Sequence, residues 1–337
     1  MMEAALYSKL DNNLVKCNLC RHDCAIADGK RGLCGVRENR GGVLYSLVYD
    51  KIISTNVDPI EKKPFFHFIP GTKSFSIATM GCNFRCTFCQ NYSISQPPHE
   101  SGEIIGQNIA PAQLAEMAVN LGCESIAYTY TEPTIYYELA RDTMIQARKK
   151  GLLNCFVTNG YMSRAMLEDS RGLIDGANVD LKAFNDDFYR KYCNGKLKGV
   201  LDTLKFLRQI GVWLEVTTLL IPGLNDDIDE IKQLVRFIKA ELGPHTPWHV
   251  SRFFPRYKET GIPPTDAVIL RKIRQIGLDE GLYYVYTGNI PWEPGEKTFC
   301  PGCSYTLIDR SGYTIKKYAI KDGLCPKCKY KVEGVEL

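Results

Sequence analysis

The chain lacks long hydrophobic runs, a dominant charge of either sign, internal repeats and low-complexity tracts. No apolar stretch approaches the roughly 18 residues of a membrane helix, which excludes a helical span. The net charge is only +4, too little to define a nucleic-acid or membrane-surface protein by electrostatics. Residues 1–16 mix charged and polar positions with isolated apolar ones and show no signal-peptide core, so the expected location is the cytoplasm. What remains is an ordinary globular composition, 45% hydrophobic and 24% charged. At 337 residues, one large domain with appendages or two domains are expected.

Cysteine is the residue in excess. There are 14, and 11 of them fall into three groups: 17, 20, 24 and 34; 82, 86 and 89; and 300, 303, 325 and 328. Cys123, Cys155 and Cys193 stand alone. In a reducing compartment such groups read as metal sites, not a disulfide framework. The middle group has the spacing C-x3-C-x2-C directly after a β-type run. Cys82, Cys86 and Cys89 can hold three corners of a [4Fe–4S] cluster, where an ordinary site supplies four cysteines. The fourth iron is then open to a ligand; the alternatives are a three-ligand zinc site or core cysteines. Cys300, Cys303, Cys325 and Cys328 form two C-x2-C knuckles, the pattern of tetrahedral zinc, with an auxiliary iron–sulfur cluster as the other reading. In so short a segment the metal would supply much of the folding energy. Cys17, Cys20, Cys24 and Cys34, with His22 among them, have a less standard spacing that leaves zinc and an auxiliary cluster both open. Cys193 reads as a buried thiol.

Between residues 75 and about 290, strand-like and helix-like segments alternate. The strand candidates are Phe75–Met80, Ser125–Tyr130, Asn154–Thr158, Ala177–Leu181, Trp213–Leu220 and Trp248–Phe253. Helices are expected over Ala112–Asn120, Thr134–Lys150, Leu201–Ile210, Asp226–Leu242 and Thr265–Leu278. Six such repeats predict an α/β fold, a partial (β/α)6 TIM-like barrel over residues 73–290. A Cys-rich module over 1–72 would precede it. A zinc-ribbon-like module over 291–337 would follow, after the linker Ile290–Lys297. Barrels of this kind carry their chemistry at the carboxyl ends of the strands. Polar residues stand there in series: Glu132, Asn159, Asp180 and Lys182, Thr217, and His249.

The chain resembles the radical S-adenosylmethionine (SAM) enzymes, and within them the AmmeMemoRadiSam group, related to pyruvate formate-lyase activating enzymes. The resemblance is carried by Cys17–Cys24 with Gly32–Arg37, by Pro59-Ile60-Glu61-Lys62-Lys63-Pro64, by Gly81–Gln96, and by Trp248–Pro255. It implies that the open iron chelates SAM, which is cleaved to a 5′-deoxyadenosyl radical that abstracts hydrogen from a substrate. It further implies that Phe88 packs on adenine and Glu132 binds the SAM ammonium. Asn159 and His249 would reach the ribose, Asp180 and Lys182 match an Asp-x-Lys segment, and Lys182 would pair with the methionine carboxylate. Glu132 corresponds to the acidic residue of a Gly-Gly-Glu motif whose glycines are here Tyr130 and Thr131, which leaves the backbone path beside it open. The implied partners are SAM, a low-potential electron donor and a protein of the same system.

Two other readings stand beside this one. The enzyme could install a glycyl radical on a partner protein. In another class altogether, it could be a metal-rich protein binding RNA or protein, to which Lys316, Lys317, Lys321, Lys327, Lys329 and Lys331 lend local basicity. Nucleic acid is not the expected partner, nor is a membrane.

Overall fold

The computed structural model describes residues 1–290 and 294–337. The alternation read from the sequence builds one central sheet: β1 (Ser54–Pro59), β2 (Lys73–Ala78), β3 (Ser125–Tyr128), β4 (Leu153–Thr158), β5 (Gly176–Asp180), β6 (Trp213–Leu220), β7 (Trp248–Arg252) and β8 (Val285–Gly288). Spatial order follows chain order, with β2 to β8 parallel and β1 antiparallel to β2. Among the described residues β1 and β8 are the two free ends of the sheet, so the barrel is partial. All six expected strands are present within two residues of their predicted ends. The sheet has one more parallel strand than expected, the four-residue β8.

Helices α1 (Pro111–Asn120), α2 (Tyr137–Lys149), α3 (Arg164–Asp169), α4 (Leu197–Gln209), α5 (Ile228–Phe237) and α6 (Ala267–Asp279) run between the strands. Their starts follow from local chemistry. Pro111 opens α1 where a missing N–H costs nothing, and Ser163, Asp227 and Asp266 cap α3, α5 and α6 through side-chain oxygens. The helix expected over Asp226–Leu242 is regular only to Phe237. It widens into a π-type turn over Ile238–Leu242 before Gly243 at φ +105°. Among the described residues, no helix is long and apolar enough to cross a membrane.

β1 lies inside the expected 1–72 module, so that division falls within a hairpin of the central sheet. The preceding residues form two small three-stranded sheets. Arg37 in one of them is buried and reaches Glu138 on α2 with two bonds of 2.8 and 2.9 Å. Residues 60–69 then turn inward and form the barrel floor. Phe65 and Phe68 pack against Ala127 and Cys155, Asn178 Nδ2 donates to Pro64 O at 2.7 Å, and Phe66 N and His67 N donate to Glu215 on β6. The C-terminal module is a three-stranded antiparallel sheet, β9 (Thr298–Phe299), β10 (Thr306–Ser311) and β11 (Thr314–Tyr318), whose Leu307, Ile308 and Ile320 share a core with Phe66, Tyr284 and Tyr286 of the barrel. Residues 291–293 of the expected linker, where that module's boundary was set, lie outside the described residues.

Candidate active site

The cysteine loop leaves the carboxyl end of β2 at Gly81. Its φ is +103°, and a Cβ there would meet Val36 Cγ1 at 2.7 Å, so only glycine fits. Main-chain bonds pin the loop: Gly81 N to Ile94 O (3.0 Å), Arg85 N to Cys193 O (2.9 Å) and Thr87 N to Tyr192 O (3.0 Å). His22 and His99 each place Nε2 2.8 Å from a loop carbonyl, Asn83 O and Cys82 O respectively. Cys82, Cys86 and Cys89 are free thiols. Phe84 N donates to Cys82 Sγ at 3.3 Å, and Cys89 Sγ lies 3.3 Å from Ser95 Oγ. Burial pushes the Cys82 and Cys89 thiols up. Cys86 is pushed down, first by a hydrogen bond from the Cys193 thiol and also by Lys182. Thiols so placed lose their protons when a cation binds.

All three cysteines line a cavity of 590 Å³ together with Phe88, Glu132, Asn159, Asp180, Lys182, Thr217 and His249. Residues from five strands and the turns after them thus meet at one place, although Thr217 lies inside β6 and His249 is the second residue of β7, not at carboxyl ends as expected. Glu132 is 2% exposed. Its carboxylate accepts from Thr158 Oγ1 (2.7 Å), Asn159 N (2.8 Å), Thr134 N (3.1 Å) and Thr134 Oγ1. Burial raises its carboxyl despite these donors. Tyr130, at one missing-glycine position, takes φ +62°, a conformation a bulky residue rarely adopts. The hydroxyl is fixed 2.5 Å from Asp58 Oδ2, and the Lys63 ammonium sits 4.1 Å from the ring centroid. Side-chain anchoring thus accompanies a conformation that glycine adopts freely.

The other expected contacts are each tied to the protein. Asn159 Nδ2 donates to Asn83 Oδ1 at 2.7 Å and lies 3.8 Å from Cys82 Sγ, while Asn159 Oδ1 accepts from Tyr161 N. Lys182 Nζ is 2.9 Å from Asp180 Oδ2. Burial alone would lower this lysine, but Asp180, Cys86 and Cys193 together hold the ammonium above its ordinary range. Thr217 Oγ1 donates to Asn178 Oδ1 at 2.8 Å. Phe88 packs 5.8 Å from the Phe188 ring. His249 Nε2 lies 2.6 Å from Glu215 Oε2.

Glu215 escaped the sequence reading. It is fully buried and also accepts from Phe66 N, His67 N and Trp213 Nε1. Burial would raise its carboxyl, but His249 and these donors hold it below the usual range. A signal existed: a lone glutamate in the apolar strand Trp213–Leu220, two residues before Thr217. Glu61, Glu296 and Tyr313 also line the cavity without having been singled out as site residues.

The terminal cysteine sets differ from each other. Cys300, Cys303, Cys325 and Cys328 bring their sulfurs within 4.8 Å of one another, the pairs Cys300–Cys328 and Cys303–Cys325 standing at 3.5 and 3.7 Å. Four thiolates about 2.3 Å from one tetrahedral ion have edges of about 3.8 Å, so this set fits a single metal. Among the described residues no other three metal-ligating side chains converge as closely. Cys17, Cys20, Cys24, Cys34 and His22 line a separate small void.

Residues 76–238 match the model of the Radical SAM superfamily. Over 337 residues the chain is 44% identical to an uncharacterized protein of Methanocaldococcus jannaschii, covering 99% of this chain and 100% of that one. It is 22% identical over 220 residues to the pyruvate formate-lyase 1-activating enzyme of Escherichia coli K12, covering 61% of this chain and 89% of that one. Among solved structures, Streptococcus suis SuiB bound to S-adenosylmethionine is similar with a TM-score of 0.51 at 15% identity, over 68% of this chain and 53% of that one. That likeness concerns the fold.

Proposed function

Because this chain belongs to the Radical SAM superfamily and is related to glycyl-radical activating enzymes, we propose that it is an enzyme whose Cys82, Cys86 and Cys89 hold a [4Fe–4S] cluster, with SAM on the fourth iron. When bound, that pair supplies one-electron cleavage of SAM to methionine and a 5′-deoxyadenosyl radical that takes hydrogen from a substrate C–H bond. The observation that carries this reading is the shared cavity: three thiols from one loop line it together with polar groups from five strands or the turns after them.

The chain's own residues bind and orient. Glu132 offers a buried carboxylate to the SAM ammonium, a charge-assisted bond. Lys182, steadied by Asp180, receives the methionine carboxylate. Phe88 gives a flat face to adenine, and Thr217 and His249 meet the ribose side. Glu215 fixes the His249 ring. Asn159 serves the loop as much as the ligand, since its amide holds Asn83 beside Cys82. The floor and the loop keep water from the reacting centre. An external low-potential donor supplies the electron.

The motifs at 17–37, 59–64 and 248–255 support placing the chain in the AmmeMemoRadiSam group. The single-ion geometry supports zinc at Cys300, Cys303, Cys325 and Cys328, and the N-terminal thiols would hold a further metal centre. A second reading, activation of a partner enzyme by a glycyl radical, is supported by the likeness to the Escherichia coli activating enzyme. The test is anaerobic reconstitution with iron and sulfide, then SAM and dithionite. Wild type is expected to form 5′-deoxyadenosine and Cys86→Ala to form none; equal yields would sink the proposal.

A further inference from the structure

The N-terminal cysteines form a set of their own beside the central loop. Cys17 ends a short strand over Val15–Cys17, and Cys20, Cys24 and Cys34 follow it in the chain. Together with His22, Arg37 and Ile135 they line one void. As thiolates, all six pairs of the four would feel one another's charge, so the set shares a common interior. The backbone N–H groups of His22, Leu33 and Val36 donate to the sulfurs of Cys20, Cys24 and Cys34. Main-chain donors gathered in this way suit an anionic centre.

Two observations bear on which centre it is. The C-terminal four sulfurs gather within 4.8 Å, as ligands of a single ion do; among the described residues no three of the N-terminal thiols converge as closely. One ion about 2.3 Å from each sulfur does not match so spread a set, whereas a four-iron core gives each thiolate its own iron. The second observation is a donor without an acceptor. Arg37 is buried, and its Nη1 and Nη2 are taken by Glu138, but Nε is buried with no hydrogen-bond partner. Buried donors nearly always have acceptors. Arg37 lines the void and lies in the field of Cys17 and Cys34, so a sulfur-bearing anion held there supplies the acceptor.

This set touches both chain neighbours of Cys82. A Cβ on Gly81 would meet Val36 Cγ1 at 2.7 Å, Cys34 O at 3.3 Å and Ile135 Cδ1 at 3.5 Å. On the other side of Cys82, Asn83 O lies 2.8 Å from His22 Nε2. We propose that Cys17, Cys20, Cys24 and Cys34 hold a second [4Fe–4S] cluster, closed by four thiolates and seated against the loop of the first. With no open iron it binds no substrate, and its chemistry is one-electron transfer. It takes one electron from the external low-potential donor, passes that electron to the open-iron cluster and returns to its oxidised state. This role rests on the radical reading; the site itself does not.

The test counts metal and acid-labile sulfide in the full chain after anaerobic reconstitution with iron and sulfide. Wild type is expected to hold about eight irons per chain, about four to each cluster, and about one zinc at the C-terminal thiols. The variant Cys82→Ala/Cys86→Ala/Cys89→Ala keeps every N-terminal thiol and is expected to retain about four irons and about four sulfides. Loss of all iron from this variant, with zinc risen to about two per chain, would overturn the proposal. Adding Cys20→Ser should then remove the remaining iron; iron that stays would belong to the C-terminal thiols and would also overturn it. Should that last variant fail to fold, electron paramagnetic resonance of dithionite-reduced wild type decides. Two cluster signals that broaden each other are expected, and a single signal or two unbroadened ones would overturn a second cluster against the loop. None of these readings needs SAM cleavage, so two clusters without 5′-deoxyadenosine would sink the radical reading alone.

Discussion

Glu215 gathers donors from three directions: the floor backbone at Phe66 and His67, the Trp213 indole and the His249 ring. A buried carboxylate surrounded in this way organises its neighbours more than it stabilises the fold, because its own desolvation offsets much of the gain. His67 sits in the same network and shows the cost. Its ring bonds Glu333 O and Tyr286 Oη at 2.7 and 2.6 Å, and burial holds it down at about 4, against 6.5 for an ordinary histidine, even with Glu215 nearby. The unfolded chain therefore takes up a proton below about pH 6.5 that the folded chain refuses. Stability should fall as pH drops from 6.5 toward 4, by about 3 kcal/mol for this group alone. Urea unfolding at pH 7 and pH 4.5 is expected to show that loss in wild type and a shallower one in His67→Gln; parallel losses would dismiss the assignment.

The elements were the most legible part of the chain. Strand and helix positions followed from period, prolines and caps, because the parallel strands are largely buried on both faces and α1, α3, α5 and α6 begin at residues whose side chain or missing N–H suits a helix start. Asp227 is such a signal: its Oδ1 accepts from Asp229 N and Glu230 N at 3.0 and 2.9 Å. Asp227→Ala should cost about 1 kcal/mol, read as a lower urea midpoint at unchanged slope. What the strand–helix alternation did not reveal was β8, which follows the last helix read, and β1, whose residues pair across a hairpin instead of following a helix. The site was legible after β3, β4 and β5, where Glu132, Asn159, Asp180 and Lys182 stand at positions fixed by topology; Thr217 and His249 lie level with Asp180 across the sheet but inside longer strands. Its floor was not. The Pro59–Pro64 motif was visible, but nothing local says that Glu61 would meet Arg310, 249 positions along the chain. Tyr130 at positive φ was equally hidden, since its conformation is imposed by Asp58 and Lys63, which lie far from it in sequence.

At the scale of the whole molecule, the N-terminal module is fastened by one buried contact of unusual weight. Arg37 and Glu138 are 1% and 3% exposed and joined by two parallel bonds. Removing one partner leaves the other charged and dry, so Arg37→Met should cost about 3–5 kcal/mol. The double variant Arg37→Met/Glu138→Leu should recover much of it, since a well-packed apolar pair of similar volume often replaces a buried ion pair without loss. A double-mutant cycle from urea unfolding measures this, and strict additivity would show that the pair does not act as a unit.

The strictly sequential order of the central sheet also bears on how the molecule is made. Each parallel strand docks on the one synthesised just before it, through a short right-handed crossover, so the barrel can grow as the chain emerges. The side between β1 and β8 stays open until residues 298–335 arrive. Those residues follow all eight strands in the chain, so the cysteine loop and the strands around it are already made when the side they cover is closed.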